Sequence, residues 1–181
     1  MSQVAISGNA SGTGTLTIAA PNTNSNYTLN LPAATGTVMV SGNMPAFSAY
    51  QSVTQTITAT TFTKVTFTTE EFDTNNNFAS STFTPTVAGY YQLNAQISVG
   101  ATAVTRELVM IYKNGVLYKS GTDLFPSASA TSRGIISSLV YANGTTDYFD
   151  VYVYVGGTGT INTVANAFYD TYFNGAMVRG A

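Results

Sequence analysis

Residues 82–99, TFTPTVAGYYQLNAQISV, decide the fold. From Tyr91 every second residue is apolar: Tyr91, Leu93, Ala95, Ile97 and Val99. Between them stand Gln92, Asn94, Gln96 and Ser98. Alternation with period two is the pattern of a strand with one face in a core. The other face is a row of uncharged polar groups, where a solvated strand ordinarily carries Lys and Glu. That face needs a reason.

The composition narrows the reasons. Charged residues make up 8% of the 181 residues, about a third of the usual share, while 12% are aromatic. His, Cys and Trp are absent, so disulfides, thiolate chemistry and imidazole chemistry are all unavailable. A net charge of −2 offers no basic field for a polyanion, so nucleic acid is not an expected partner. The first twelve residues, MSQVAISGNASG, show neither a basic region nor a long apolar run, so no secretory signal is expected. No apolar run approaches the ~20 residues of a spanning helix, and membrane insertion is not expected. These readings place the chain in the cytoplasm at synthesis.

Runs rich in Thr, Val, Ile, Tyr and Phe, punctuated by Gly, Asn, Pro and Ser, predict an all-β chain of the sandwich or barrel kind. Strands are expected at 45–51, 56–68, 80–84, 88–99, 105–113, 116–120, 132–142, 147–155 and 170–179. Asn114-Gly115 between alternating runs predicts a hairpin with a type I′ turn. YANGTTDY (141–148) reads as a second hairpin with a longer loop, and Asn174-Gly175 reads by pattern as a third. Residues 1–43 differ from the rest. They hold three short alternating pieces, around 16–18, 27–31 and 38–40, with too few large apolar residues for a core and no charge. Such a segment is either disordered or ordered by packing on other chains. SGNMP (41–45) is the natural boundary, giving an N-terminal attachment or trimerisation segment (1–43) and a knob (44–181).

The order of motifs in the knob resembles a C1q-like domain, a family that shares its jelly roll with the tumour necrosis factors. PAFSAY, FTKVTFTTEEFDTNNNF, STFTPTVAGYYQLNAQ, IYKNGVLY, SSLVYANGTTDYFDVYVY and TYFNGAMV occur in the family's order. The family's Phe, Pro and Gly-x-Tyr are matched by Phe83, Pro85, Gly89 and Tyr91, and its Phe-x-Gly by Phe173 and Gly175. Leu93 stands where an aromatic is usual. The resemblance covers residues 45–180 and implies a ten-stranded jelly-roll sandwich forming a homotrimer, with the β-rich segment before it. It also makes Asn174-Gly175 strand rather than turn.

The same resemblance assigns the amide face to the three-fold axis. It implies a trimer interface of Tyr90, Gln92, Asn94, Val140, Tyr172 and Ala176. Amides facing symmetry mates hydrogen-bond without desolvating a charge, whereas a lysine in place of Gln92 would set three like charges around an axis. The alternative is an amide row solvated in a monomer. On the outer sheet, Phe149, Val151 and Val153 are expected in the core with Val109 and Ile111. This leaves Met110, Tyr112, Tyr148, Asp150, Tyr152 and Tyr154 as one exposed patch. Contiguous exposed aromatics mark a binding surface, and tyrosine suits sugar rings. Cross-strand pairing of tyrosines that merely protects the sheet is the competing reading.

Catalysis is not expected, because Ser-His, Cys-His and His-metal arrangements are impossible without His and Cys. A carboxylate pair drawn from Glu70, Glu71, Asp73, Asp147, Asp150 and Asp170 is what remains for a glycosidase. Asp73-x-Asn75-x-Asn77 starts like a calcium loop, but Phe78 and Thr84 stand where an EF-hand needs Gly and Glu. GGTGT (156–160) has no following Lys, so it is no phosphate cradle. No cofactor or metal is expected. The N-terminal segment, with TLTI and YTLNLPAATGTV, resembles short pieces of bacteriophage fibre and tail proteins. That likeness implies a non-enzymatic trimer on the virion surface. Residues 1–43 would contact other virion proteins, and the knob would contact host surface glycan or protein. The alternative is a purely structural capsid decoration, or a trimer that only locks a fibre.

Overall fold

The alternation of residues 89–100 becomes the longest strand of the protein. In this computed structural model, residues 8, 10–19, 21–30, 33, 35–36, 38–100, 104–126, 131–166 and 169–181 are described. The chain divides into two units, Met1–Gly36 and Thr37–Ala181. Among the described residues of the first unit no strand forms, and Leu16, Ile18, Tyr27 and Leu29 are exposed. The alternating piece expected at 27–31 ends on Leu31, outside the described residues, as do residues 1–7. In the second unit Met39 packs against the core, and the 3-10 turn Ser41–Asn43 is tied by a bond from Asn75 Nδ2 to the Gly42 carbonyl (3.0 Å).

The second unit is built of strands. In chain order they are β1 (Ala46–Tyr50), β2 (Thr56–Ile57), β3 (Phe62–Lys64), β4 (Thr69–Asp73), β5 (Phe78–Ala79), β6 (Thr82–Phe83), β7 (Gly89–Gly100), β8 (Val104–Lys113), β9 (Val116–Leu124), β10 (Ser132–Ala142), β11 (Phe149–Gly157), β12 (Ile161–Thr163) and β13 (Tyr172–Gly180). Seven form one sheet in the order β2-β12-β7-β13-β1-β4, with β10 on the other edge of β7. Six form the second in the order β5-β6-β11-β8-β9, with β3 also pairing β11. All pairings are antiparallel. This is an all-β jelly roll, divided into more strands than the expected ten because 56–68 breaks into β2 and β3 and short pieces flank the sheet edges.

The core lies between the sheets. Tyr91, Leu93, Ala95, Ile97 and Val99 of β7 face Val109 and Ile111 of β8 and Phe149, Val151, Val153 and Val155 of β11, all buried. At one end Phe47 stacks on Phe83 (4.3 Å between ring centroids) and Phe78 (5.0 Å), and Phe173 meets it edge-on (4.9 Å). The motif residues now have physical reasons. Phe83 joins this aromatic cluster, and Tyr91 packs edge-on to it (5.4 Å) while donating its hydroxyl to the Val87 carbonyl (2.6 Å). Burial pushes the Tyr91 phenol up to about 12. A Cβ at Gly89 would lie 2.5 Å from the Arg179 carbonyl oxygen, so only glycine lets β13 close on β7 there.

Asn114 and Gly115 take φ of +55° and +77° and join β8 to β9 as a hairpin, the I′ geometry the sequence predicts. YANGTTDY is no hairpin: β10 pairs β7 in one sheet and β11 pairs β8 in the other, so residues 143–148 cross between sheets. Asn174 and Gly175 lie inside β13, paired with Asn94 and Leu93.

Candidate functional site

The two sheets offer two outward faces. On the seven-stranded sheet, the even-numbered residues of β7 turn away from the core because the odd ones fill it. The amides there satisfy one another across strands. Gln92 donates to the Ser137 hydroxyl (2.9 Å) and more weakly to Asn94 Oδ1 (3.4 Å). Ser137 donates to Asn94 Oδ1 (2.8 Å), and Asn94 donates to Asn174 Oδ1 (3.2 Å). Gln96 reaches the Asp170 carbonyl (2.9 Å). The result is a locally paired polar strip with no charge on it.

Apolar side chains border this strip. Ile135 and Leu139 of β10 are each 53% exposed and Val178 of β13 is 55% exposed. Tyr90 and Tyr141 pack against each other at 5.5 Å, and Phe72 of the edge strand β4 is also exposed. Tyr172 and Ala176 stand on this face, opposite Gln96 and Gln92. Val140 does not. It pairs with Tyr91, shares its inward direction and is 1% exposed, so Leu139 and Tyr141 hold the outward positions instead. An open depression of about 400 Å³ lies on the same face, lined by Ser48, Phe72, Asn94, Asn174 and Ala176 among others.

The six-stranded sheet departs further from expectation. Met110 is fully covered, and Asp150 is 5% exposed. Asp150 binds Lys64 (2.8 Å) and accepts from the Thr82 hydroxyl (2.7 Å). These contacts fasten β3 and β6 to β11, so Asp150 is structural rather than a surface contact. Tyr112 and Tyr152 stack on each other at 4.0 Å, and Tyr148 sits against the Asn114-Gly115 turn. Burial, followed by the charge of Asp150, raises the Tyr152 phenol. Tyr154 lies beside the exposed Phe62 (5.2 Å). The six residues expected as one exposed patch are thus divided: Met110 and Asp150 are covered, Tyr112 and Tyr152 pair, and Tyr154 belongs to a different neighbourhood.

That neighbourhood is the end of β8, β9 and β11. Arg106 Nε and Nη2 each donate to the Asp123 carboxylate at 2.8 Å. The guanidinium carbon lies 5.5 Å from the Tyr154 ring centroid and 5.7 Å from that of Phe125. A cleft of about 560 Å³ opens between Arg106, Phe125, Tyr154 and the backbone of Gly156 and Gly157. The parity that turns Tyr112 outward also turns Arg106 outward, so half of this site was available to sequence reasoning. The other half was not, because β9 extends to Leu124 rather than ending at 120.

Of the remaining candidate carboxylates, all but Glu70 have side-chain or backbone partners among the described residues; Glu71 accepts from the Ser48 hydroxyl (2.6 Å). Asp147 accepts from Lys113 Nζ (2.8 Å), Asn114 Nδ2 (2.8 Å) and the Asn143 amide (2.9 Å). Burial pushes its carboxyl up, but these three donors outweigh it and hold the group below the usual range. Asp73 accepts from the amides of Asn75 (3.2 Å) and Phe78 (2.6 Å), building its own loop. Asp170 pairs with Arg133 (3.0 Å), which lowers its pKa. Glu107, unanticipated from sequence, is fully buried, accepting from the Ser132 hydroxyl and the Gly134 amide (3.0 Å). Desolvation raises its pKa despite both bonds. Among the described residues no group of three acidic side chains is placed to hold a metal ion.

Comparison with known proteins supports the fold. No protein-family model and no curated protein matches the chain. Solved structures do. The globular domain of zebrafish complement 1qA is 20% identical, covering 76% of this chain and 98% of its own, with a TM-score of 0.57. Murine APRIL at pH 5.0 is 8% identical over 75% of this chain and 99% of its own, with a TM-score of 0.58. The Eiger TNF of S. frugiperda is 6% identical over 76% and 93%, also with a TM-score of 0.58. Together with the sheet topology, these likenesses give the second unit the C1q/TNF jelly-roll fold.

Proposed function

We propose that the chain is a non-enzymatic, homotrimeric surface protein of a bacteriophage virion, attached through residues 1–43, whose jelly-roll knob adheres to the host surface. The observation that carries the proposal is the outward face of the seven-stranded sheet. Its amides are largely paired within one chain, while Ile135, Leu139, Tyr90, Tyr141 and Val178 beside them remain exposed. An apolar border around a charge-free polar strip is suited to burial against copies of itself, because association removes apolar surface from water without stranding a charge. The exposed Leu16, Ile18, Tyr27 and Leu29 of the first unit are likewise suited to burial against other virion proteins. Three linked knobs give adhesion avidity even where each site is weak.

The stacked Tyr112–Tyr152 pair and the Lys64–Asp150 ion pair favour a second reading, in which the outer sheet only protects itself and the trimer serves as decoration or lock. Adhesion separates the two. The fluorescently labelled full chain is incubated with a panel of bacterial strains, beside Tyr154→Ser. Binding to at least one strain that Tyr154→Ser loses supports adhesion through the outer sheet. Absence of binding to every strain, with a trimeric mass, supports the decoration reading.

A further inference from the structure

We propose that the cleft beside Arg106 and Asp123 is a binding site for one ring of a neutral saccharide. The inference deepens the adhesion reading and rests on it only for its biological purpose. The cleft exists because β11 ends in two glycines at a register irregularity. A Cβ at Gly156 would lie 3.2 Å from Arg106 Cβ and 3.2 Å from Thr105 Oγ1, so a side chain there would fill the floor. The volume of about 560 Å³ falls within the range of small-ligand sites.

The walls supply the two halves of sugar recognition. Phe125 is 71% exposed, and with Tyr154 it offers an apolar surface against which the C–H face of a pyranose can pack. The bidentate pair uses two of the five guanidinium donors of Arg106. Arg106, which lines the cleft, keeps donors for hydroxyl oxygens. Asp123, bound to it just outside the lining, keeps lone pairs that can accept from hydroxyls, each of which both donates and accepts. Charge selects the class. Arg106 and Asp123 neutralise each other, so an anion meets the carboxylate and a cation meets the guanidinium, while an uncharged polyol meets neither penalty.

The test uses the isotope-labelled full chain, titrated by NMR with glucose, galactose and N-acetylglucosamine at millimolar concentration, and separately with inorganic phosphate. At least one sugar is expected to shift the amides of Arg106, Asp123, Phe125 and Gly156. Phe125→Ala is expected to weaken that binding roughly tenfold, and Asp123→Asn to weaken it while leaving the fold's spectrum unchanged. Shifts with no sugar, shifts confined to another surface, or a preference for phosphate would overturn the proposal. Cell adhesion by the same variants separates the two levels. Adhesion that Phe125→Ala retains, with no sugar shifts, removes the saccharide site and leaves adhesion standing. Sugar shifts at the cleft without adhesion to any strain leave the site standing and remove the adhesion reading.

Discussion

Replacing Gly175 with alanine sets two opposing effects against each other, and the structure decides which wins. Gly175 does not have a positive φ, so alanine adopts its backbone freely. Reduced freedom of the unfolded chain alone would then stabilise the protein by about 0.4–1 kcal/mol. Against this stands the space between β1, β7 and β13. A Cβ at Gly175 would lie 2.5 Å from Leu93 Cδ2, 3.0 Å from Phe47 Cε1 and 3.0 Å from the Gln92 carbonyl oxygen. Leu93 and Phe47 are 0% and 1% exposed, so neither side chain has anywhere to swing. Overpacking of this kind costs about 1–3 kcal/mol, which leaves a net loss of about 1–2 kcal/mol. Urea unfolding at matched protein concentration should therefore show a midpoint lower by roughly 0.5–1 M. A double-mutant cycle localises the effect. In a Leu93→Ala background the closest obstruction is gone while Phe47 Cε1 and the Gln92 carbonyl remain, so Gly175→Ala should lose most of its cost, a coupling of about 1 kcal/mol. An unchanged or raised midpoint for the single variant, or strictly additive losses in the pair, would refute the reasoning.

Other outcomes follow from the buried carboxylates. Because the folded chain holds the Glu107 proton more tightly than the unfolded chain, this group's contribution is full below its ordinary value near 4.5 and is lost as pH rises through the raised value. Glu107→Gln keeps a carbonyl for the Gly134 amide and an amide for Ser132, so its urea midpoint should exceed wild type at neutral pH, with the gap closing toward pH 4.5. Asp147 has the opposite sign: its lowered pKa gives stability present above 3.8 and lost as pH falls through the folded value. Asp147→Asn should thus cost about 1–2 kcal/mol at neutral pH, a difference that should shrink progressively in denaturation curves taken at pH values falling below 3.8.

The parts legible in the sequence were those fixed by local chemistry. Alternation located β7 and its buried face, Asn-Gly located the β8–β9 hairpin, and Phe173-x-Gly175 located a strand where pattern alone read a turn. The misreadings have separate causes. In Leu139-Val140-Tyr141 three apolar residues run consecutively, so parity is undefined until the pairing with β7 sets the register. Met110 keeps the outward parity expected between the core residues Val109 and Ile111, yet it is fully covered, which the spacing alone does not reveal. Thr69–Asp73 falls between the expected strands 56–68 and 80–84, yet Glu70 and Glu71 are what an edge strand carries, and β4 lies at the edge of its sheet. YANGTTDY carried every local sign of a hairpin, and only the choice of sheet made it a crossover. The Arg106–Asp123 cleft was hidden for a similar reason, since a site assembled from three strand ends has no signature in any one of them.

The claim on which the functional account turns is self-association through the outward face of the seven-stranded sheet. Its most direct test is the solution mass, by light scattering, of the full chain and of Leu139→Asp. Leu139 is 53% exposed, so the substitution is tolerated by the single knob and places a charge only where copies would meet. The account predicts three times the 19.0 kDa chain mass for the wild type and a single chain mass for the variant. A monomeric wild type, or a variant that remains trimeric, would contradict it.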